Sequence, residues 1–238
     1  MPALNEEEGI RRTIIDLKKW LHNPQILVVD GKSKDRTVTV AKSLGADIVS
    51  QSGIGKGDAI DSALKHLDID CRYVILTDAD YTYPAEFIPQ MVRILDEQPD
   101  VGMVGGNRFN SHLHKEAMHD TNYLGNRLLA IAQSILNGVK MRDPLTGLRV
   151  IRWEILKGWK PKSDGFDIEV EMNHYVKEQG YRIMEMEIPY RRRLGEKKLK
   201  LSHGFTMLKR IISENTKYSS ANGANMTGTT ALTATPSA

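Results

Sequence analysis

Asp78 and Asp80 stand two residues apart in the run Thr77-Asp-Ala-Asp-Tyr-Thr-Tyr-Pro84, directly after the apolar stretch Tyr73 to Leu76. That stretch reads as a strand, so both carboxylates leave one strand end and can face the same ligand. Two hard oxygen ligands in a cleft suit a divalent cation bridging the oxygens of a diphosphate. Taken alone, the pair equally fits a solvated turn. The opposite charge is also concentrated. Residues 191–217 hold nine Lys and Arg against Glu196 and Glu214, which gives this stretch +7 and the rest of the chain −4. Such segregation points to a polyanionic partner.

The elements that must hold these groups alternate. Ile10, Ile14, Leu17 and Leu21 predict a helix over Asn5 to Leu21 with Asn5 as N-cap, followed by a strand Ile26 to Val29 ending in Asp30-Gly31. A helix Asp35 to Leu44, a strand Asp47 to Ser50 and a Gly-rich turn Gly53 to Gly57 come next. The turn opens the helix of Ile60, Ala63, Leu64 and Leu67. Beyond the acidic run the pattern predicts a helix from about Pro84 to Leu95 and a strand Val101 to Val104. A helix Tyr123 to Leu136, a strand Leu148 to Ile151, a helix Asp167 to Gln179 and a strand Tyr181 to Ile188 follow. Units of this kind imply a mostly parallel sheet with helices on both faces, whose ligands bind beyond the carboxyl ends of the strands. Asp30 and the Asp78–Asp80 loop both fall at that edge.

Composition narrows the class. The chain has 238 residues, 40% hydrophobic and 26% charged, enough for one large domain with a substantial core, which the uncharged tail confines to 1–217. From Tyr218 to Ala238 it is uncharged and poor in large apolar residues, which predicts a disordered tail. The longest apolar run, Leu128 to Ala132, is far too short to cross a bilayer. The acidic start does not resemble a signal peptide, and the single Cys71 excludes an internal disulfide. These features predict a cytoplasmic protein. Gly53 to Asp58 lacks the Gly-Lys-Ser/Thr ending of a P-loop. His112, His114 and His119 with Glu116 and Asp120 would suit zinc, but read more simply as a surface loop.

The acidic run has company. Pro2-Ala-Leu-Asn-Glu-Glu, Val28-Val-Asp-Gly-Lys-Ser-Lys-Asp35, Gly55-Lys-Gly57, Gly105-Gly-Asn-Arg108, Gly125-Asn-Arg-Leu128, Asp143-Pro-Leu-Thr-Gly-Leu-Arg149 and Arg193-Leu-Gly-Glu-Lys-Lys-Leu199 occur in order across residues 2 to about 215. In this the chain resembles the GT-A-fold family 2 glycosyltransferases, in particular the dolichyl-phosphate (polyprenyl-phosphate) mannose and glucose synthases. The resemblance implies a GT-A, nucleotide-diphospho-sugar transferase fold. It implies an inverting transfer from GDP-mannose, UDP-glucose or UDP-GlcNAc to dolichyl or polyprenyl phosphate, supplying lipid-linked sugar for glycosylation. Pro2, Leu4, Glu6, Val29 and Asp30 would flank base and ribose, and Lys56 would lie near the nucleotide. Asp78, Ala79 and Asp80 would bind the donor with Mg²⁺ or Mn²⁺, the two aspartates as metal ligands. Arg108, Arg127, Arg193 and Lys198 would take the acceptor phosphate, Arg108 and Arg127 acting beside the aspartates in catalysis. A lipid monophosphate is already ionised at neutral pH and needs positioning rather than a base.

Two departures from the family pattern stand out. Met1 directly precedes Pro2, where relatives have an apolar strand, so the sheet is expected to lack its first strand. Thr82 occupies a position that some relatives fill with a metal-binding Gln. Leu201, Phe205, Leu208, Ile211 and Ile212 after the basic run suit either a helix packed on the domain or one lying on an anionic membrane. Peripheral attachment at the cytoplasmic face, or a membrane-protein partner, is therefore expected, and nucleic acid is not. Two rival readings remain. One is transfer to a glycan, protein or lipid diphosphate, with Asp143 as general base. The other is a non-catalytic basic protein that binds membrane or RNA.

Overall fold

The computed structural model describes residues 1–67, 71–109, 121–196, 198 and 202–226. Strands β1 (Pro2–Ala3), β2 (Leu27–Asp30) and β3 (Asp47–Ser50) form one parallel sheet in that order. A second sheet runs β4 (Tyr73–Leu76), β6 (Arg149–Arg152), β5 (Val101–Asn107), β7 (Arg182–Glu187), with β6 antiparallel to both neighbours and β5 parallel to β7. Helices α1 (Glu7–Trp20), α2 (Thr37–Ser43), α3 (Lys56–His66) and α4 (Ile88–Glu97) alternate with the early strands. Helices α5 (Thr121–Asn137), α6 (Trp153–Leu156), α7 (Ile168–Glu178) and α8 (Ser202–Met226) complete the chain.

The sheet separates two cores because successive side chains leave opposite faces. On β5, Val104 joins the core under α1 and α4, made by Ile10, Ile14, Ile88, Met91 and Leu95, and Val101 joins it too because the strand is irregular between Val101 and Met103. Met103, between them in sequence, joins the other core with Ile155, Ile168, Met172 and Val176 of α6 and α7. Val150 and Ile151 of β6 divide in the same way. Burial on both faces is what an apolar, mostly parallel strand set requires.

As expected, the sheet lacks a full first strand: only Pro2 and Ala3 pair there, in register with Val29 and Asp30, and the Val29 N–H donates to the Met1 carbonyl. Two residues cannot bridge to β4, so the sheet stays split between β1 and β4. Asn5 is not the N-cap of α1. It holds φ of 48°, and its side-chain oxygen accepts the Lys34 N–H at 2.8 Å, while Glu6 sits at the cap position. The Asn side chain is short enough to tie the end of β1 to the loop after β2 instead. The backbone of α8 continues past Tyr218 to Met226, since no proline interrupts that stretch; 227–238 lie outside the described residues. So does the His112–Asp120 loop, and with it the zinc reading.

Candidate active site

The loop after β4 is shaped by α1. A Cβ on Gly9 would fall 2.6 Å from the Ala79 carbonyl oxygen and 2.7 Å from the Asp80 Cα, so only glycine lets the first turn of α1 lie on this loop. Thr13, one turn on, accepts the Tyr81 N–H at 3.0 Å, and Tyr81 adopts φ of 68°. Thr82 donates its N–H and hydroxyl to Asp80 Oδ1, at 3.1 and 2.6 Å. The residue that departs from the family pattern thus fixes the carboxylate beside it.

Cations from the far end of the sequence close over this loop. The Arg191 and Leu194 N–H groups donate to the carbonyls of Thr82 and Asp80, at 2.9 and 3.1 Å. This registers the segment so that Arg193 Nη1 meets Asp80 Oδ2 at 2.8 Å while its Nη2 meets Glu6 Oε1 at 2.6 Å. Lys198 pairs with the same Glu6 oxygen. Arg191 pairs with Asp16 at 2.7 Å and lies over the Tyr81 ring. Burial, and then the Asp78 charge, push the Asp80 carboxyl up. Burial also raises Glu6 despite its two cations.

Asp78, on the same loop and half-buried, belongs to a second network. Lys56 Nζ bridges Asp78 Oδ1 at 2.7 Å and Glu169 Oε1 at 2.6 Å. Burial disfavours the ammonium, but the two carboxylates outweigh it and hold Lys56 above its usual value. Lys56 in turn outweighs burial at Asp78 and holds that carboxyl below its usual value. Pro2, Gly147 and Arg149 line the small cavity here. The glycine turn before α3 serves packing rather than phosphate: a Cβ on Gly57 would overlap the Ser163 carbonyl, and the Gly57 N–H donates to the Asp164 carbonyl at 2.9 Å.

A hard cation fits the donor set. Asp78 and Asp80 offer carboxylate oxygens from one loop, Arg193 and Lys56 already place positive charge on them, and the buried Oε2 of Glu6 has no hydrogen-bond partner among the described residues. No cluster of three or more His, Cys, Asp and Glu suits a metal among the described residues, so an ion here would draw its other ligands from phosphate and water.

The remaining expected residues divide. Leu4 and Gln51 lie against Gly31 at the end of β2, beside Asp30, whose carboxylate accepts the Lys32 and Ser33 N–H groups. Val29 is buried against Ala59 and Ala63 of α3. Arg108 makes a two-pronged pair with Asp143, Nε at 2.6 Å and Nη2 at 2.8 Å, among the rings of Tyr83, Phe109 and Tyr190. Burial opposes its charge, yet Asp143 holds the guanidinium well above its usual value. Asp143 also accepts the Arg108 N–H and the Asn126 amide of α5, at 3.1 and 3.0 Å. Arg127 is not gathered into this cluster; it lies on the exposed face of α5. Gly9, Thr13, Glu169 and Asn126 escaped the sequence reading. Of these, the Gly9–Thr13 spacing on one helix face was the available signal.

Carboxylates gathered at the strand ends with basic groups folded over them are the arrangement of an α/β enzyme site rather than of a plain packing surface. Residues 1–159 match Glycosyl transferase family 2, and the chain belongs to that family: it is a glycosyltransferase. It is 34% identical over 202 residues to a dolichyl-phosphate hexose transferase of Haloferax volcanii, covering 84% of each chain. To glycosyltransferase AglJ of the same organism it is 38% identical over 172 residues, 72% of this chain but 55% of that one. The fold matches glucosyl-3-phosphoglycerate synthase of Mycobacterium tuberculosis, solved with Mn²⁺, UDP-glucose and phosphoglyceric acid. That match has a TM-score of 0.71 at 21% identity, covering 90% of this chain and 78% of the other. Among the described residues no helix is long and apolar enough to cross a membrane.

Proposed function

We propose that this glycosyltransferase moves one hexose from a nucleoside-diphosphate sugar to a polyprenyl or dolichyl phosphate at the cytoplasmic face of a membrane. The observation that carries the reading is the meeting of Asp80, Glu6, Arg193 and Lys198 at the strand ends, joined from residues almost two hundred positions apart. The Haloferax relative's name supports the acceptor class.

Asp78 and Asp80 would hold Mg²⁺ or Mn²⁺, which when bound offsets the charge of the departing diphosphate. Pro2, Leu4, Glu6 and Asp30 line the base and ribose side, Val29 supporting them from the core against α3, with Lys56 keeping Asp78 ionised and in place. Arg193 and Lys198 exchange their carboxylate partners for phosphate oxygens when substrates enter, while Arg108, already committed to Asp143, serves as framework and Arg127, exposed on α5, stands outside this cluster. An acceptor phosphate oxygen then attacks the anomeric carbon, and the bond from that carbon to the diphosphate oxygen breaks with its electron pair leaving on the diphosphate. The configuration inverts. No proton moves, which agrees with the state of Asp143: fully buried and accepting four hydrogen bonds, it is spent on Arg108 and Asn126 and is a poor general base.

The test presents radiolabelled UDP- and GDP-sugars with short-chain polyprenyl phosphate, with Mg²⁺, Mn²⁺ or EDTA. Label entering the lipid phase from one donor, lost with EDTA, is expected. Transfer to a glycan, protein or lipid diphosphate but never to the monophosphate would overturn the acceptor.

A further inference from the structure

We propose that the outward faces of α5 and α8 form one surface that seats the protein on an anionic lipid bilayer. On α5, Leu124, Leu128, Ile131 and Ile135 are 65%, 60%, 51% and 76% exposed and recur at helical spacing. On α8, Phe205, Leu208 and Ile212 are 80%, 39% and 49% exposed. The two helices lie side by side: Leu129, Met207 and Ile211 pack between them, and the Asn137 amide donates to the Ile211 carbonyl at 3.0 Å. Both helices are thus already anchored by their inner faces, and the outer apolar residues contribute nothing to the core.

The charge on this face selects the occupant. Among the residues whose side chains are described, Arg127 and Lys209 are its exposed charges; the sequence of α5 contains no acid, and the acid of α8, Glu214, is buried with Arg210 at 3.3 Å. Large apolar side chains ringed by cations alone match a lipid surface bearing negative headgroups. A second copy docking by two-fold symmetry would instead set like charges against each other. The helices would lie on the bilayer rather than span it. The placement also has a consequence for the chemistry. Asn126, on the inner side of α5, holds the Asp143 that clamps Arg108, so the bilayer would lie one helix away from that arginine. That last link rests on the acceptor reading above; the docking itself does not.

Sedimentation with vesicles tests it, in the absence of donor and acceptor. Wild-type chain should co-sediment with phosphatidylcholine vesicles containing phosphatidylglycerol and much less with phosphatidylcholine alone. Ile131→Asp/Ile135→Asp should lower the partition about a hundredfold, because two exposed aliphatic anchors are lost. Phe205→Asp on α8 gives an independent check should the first variant fold poorly, with circular dichroism reporting the fold. Undiminished binding by a folded variant would overturn the proposal. So would a wild-type dimer that ignores vesicles and becomes a monomer in the variants. Vesicle binding without any sugar transfer would keep this surface and sink the acceptor reading.

Discussion

Two ion-paired regions of the molecule use the same chemical groups to opposite ends. In the Arg108–Asp143 clamp the carboxylate is completely buried, the arginine side chain keeps 15% exposure, and Asn126 supplies a further hydrogen bond. At the acidic loop, Arg193 keeps 28% of its side chain exposed and divides one guanidinium between Asp80 and Glu6. A buried pair with its lone pairs satisfied is costly to separate, whereas a partly exposed one exchanges partners with solvent or ligand at little cost. The first region is therefore framework. The second leaves cations that can change partners, which is what the proposed donor site would require of Arg193 and Lys198. Lys56, between them in character, is nearly enclosed by Asp78 and Glu169 yet touches the loop that carries Asp80.

Breaking the clamp should have the largest effect. Asp143→Ala leaves a buried guanidinium uncompensated and should cost about 3–5 kcal/mol in urea unfolding; a loss as small as that of a surface pair would erase the contrast. Asp80→Asn should lower kcat/KM by roughly a hundred- to a thousandfold with melting temperature little changed, since it removes charge rather than packing. An equal loss of stability would reassign Asp80 to the framework.

Lys56→Met sharpens the intermediate case through pH. Asp78, held low by Lys56, contributes stability at neutral pH that is lost only as pH falls through its depressed value. Asp80, pushed up by burial and Asp78, works in the opposite sense, and stability improves as pH falls through its raised value. Without the lysine, Asp78 joins Asp80 on the raised side. The variant's melting temperature should therefore climb between neutral pH and about pH 5 more than the wild type's. Parallel curves would mean Lys56 does not set the state of Asp78. A smaller loss of stability than that of Asp143→Ala is expected of Arg193→Ala, because Lys198 remains on Glu6 and the two nearly buried carboxylates, both already pushed up by burial, can take up a proton. Its cost should fall on KM for the phosphorylated substrates, read by steady-state kinetics.

Most of the sheet was legible because its strands are short apolar runs bounded by turn residues. Asp47–Ser50 and Tyr73–Leu76 begin and end where the pattern placed them. Boundaries slipped where side chains serve another element: Asn5 looks like a cap by type, yet reaches across to Lys34. The acidic loop could be read from Asp78 and Asp80 and from their ordered neighbours. Lys56 was placed near the nucleotide, but its bridge to Glu169, more than a hundred residues away, leaves no trace in local spacing. Arg108 and Arg127 carry equal weight in the motifs and part in the structure, one clamped in the interior and one facing outward on α5. The exposed stripe of α5 was hidden for a related reason: a helix rich in Leu and Ile reads as core until its neighbours are known.

The amino-acid order by itself determined the alternation of elements, the loop that carries Asp78 and Asp80, and the concentration of positive charge after Arg191. These follow from backbone sterics, side-chain periodicity and composition, all of which act over a few residues. The tertiary structure alone decided which cation meets which carboxylate, which arginine is spent on the framework, and which apolar face remains uncovered. Those outcomes depend on burial and on distances of a few ångströms between residues far apart in sequence, where desolvation and Coulomb attraction select among partners that local sequence leaves equivalent.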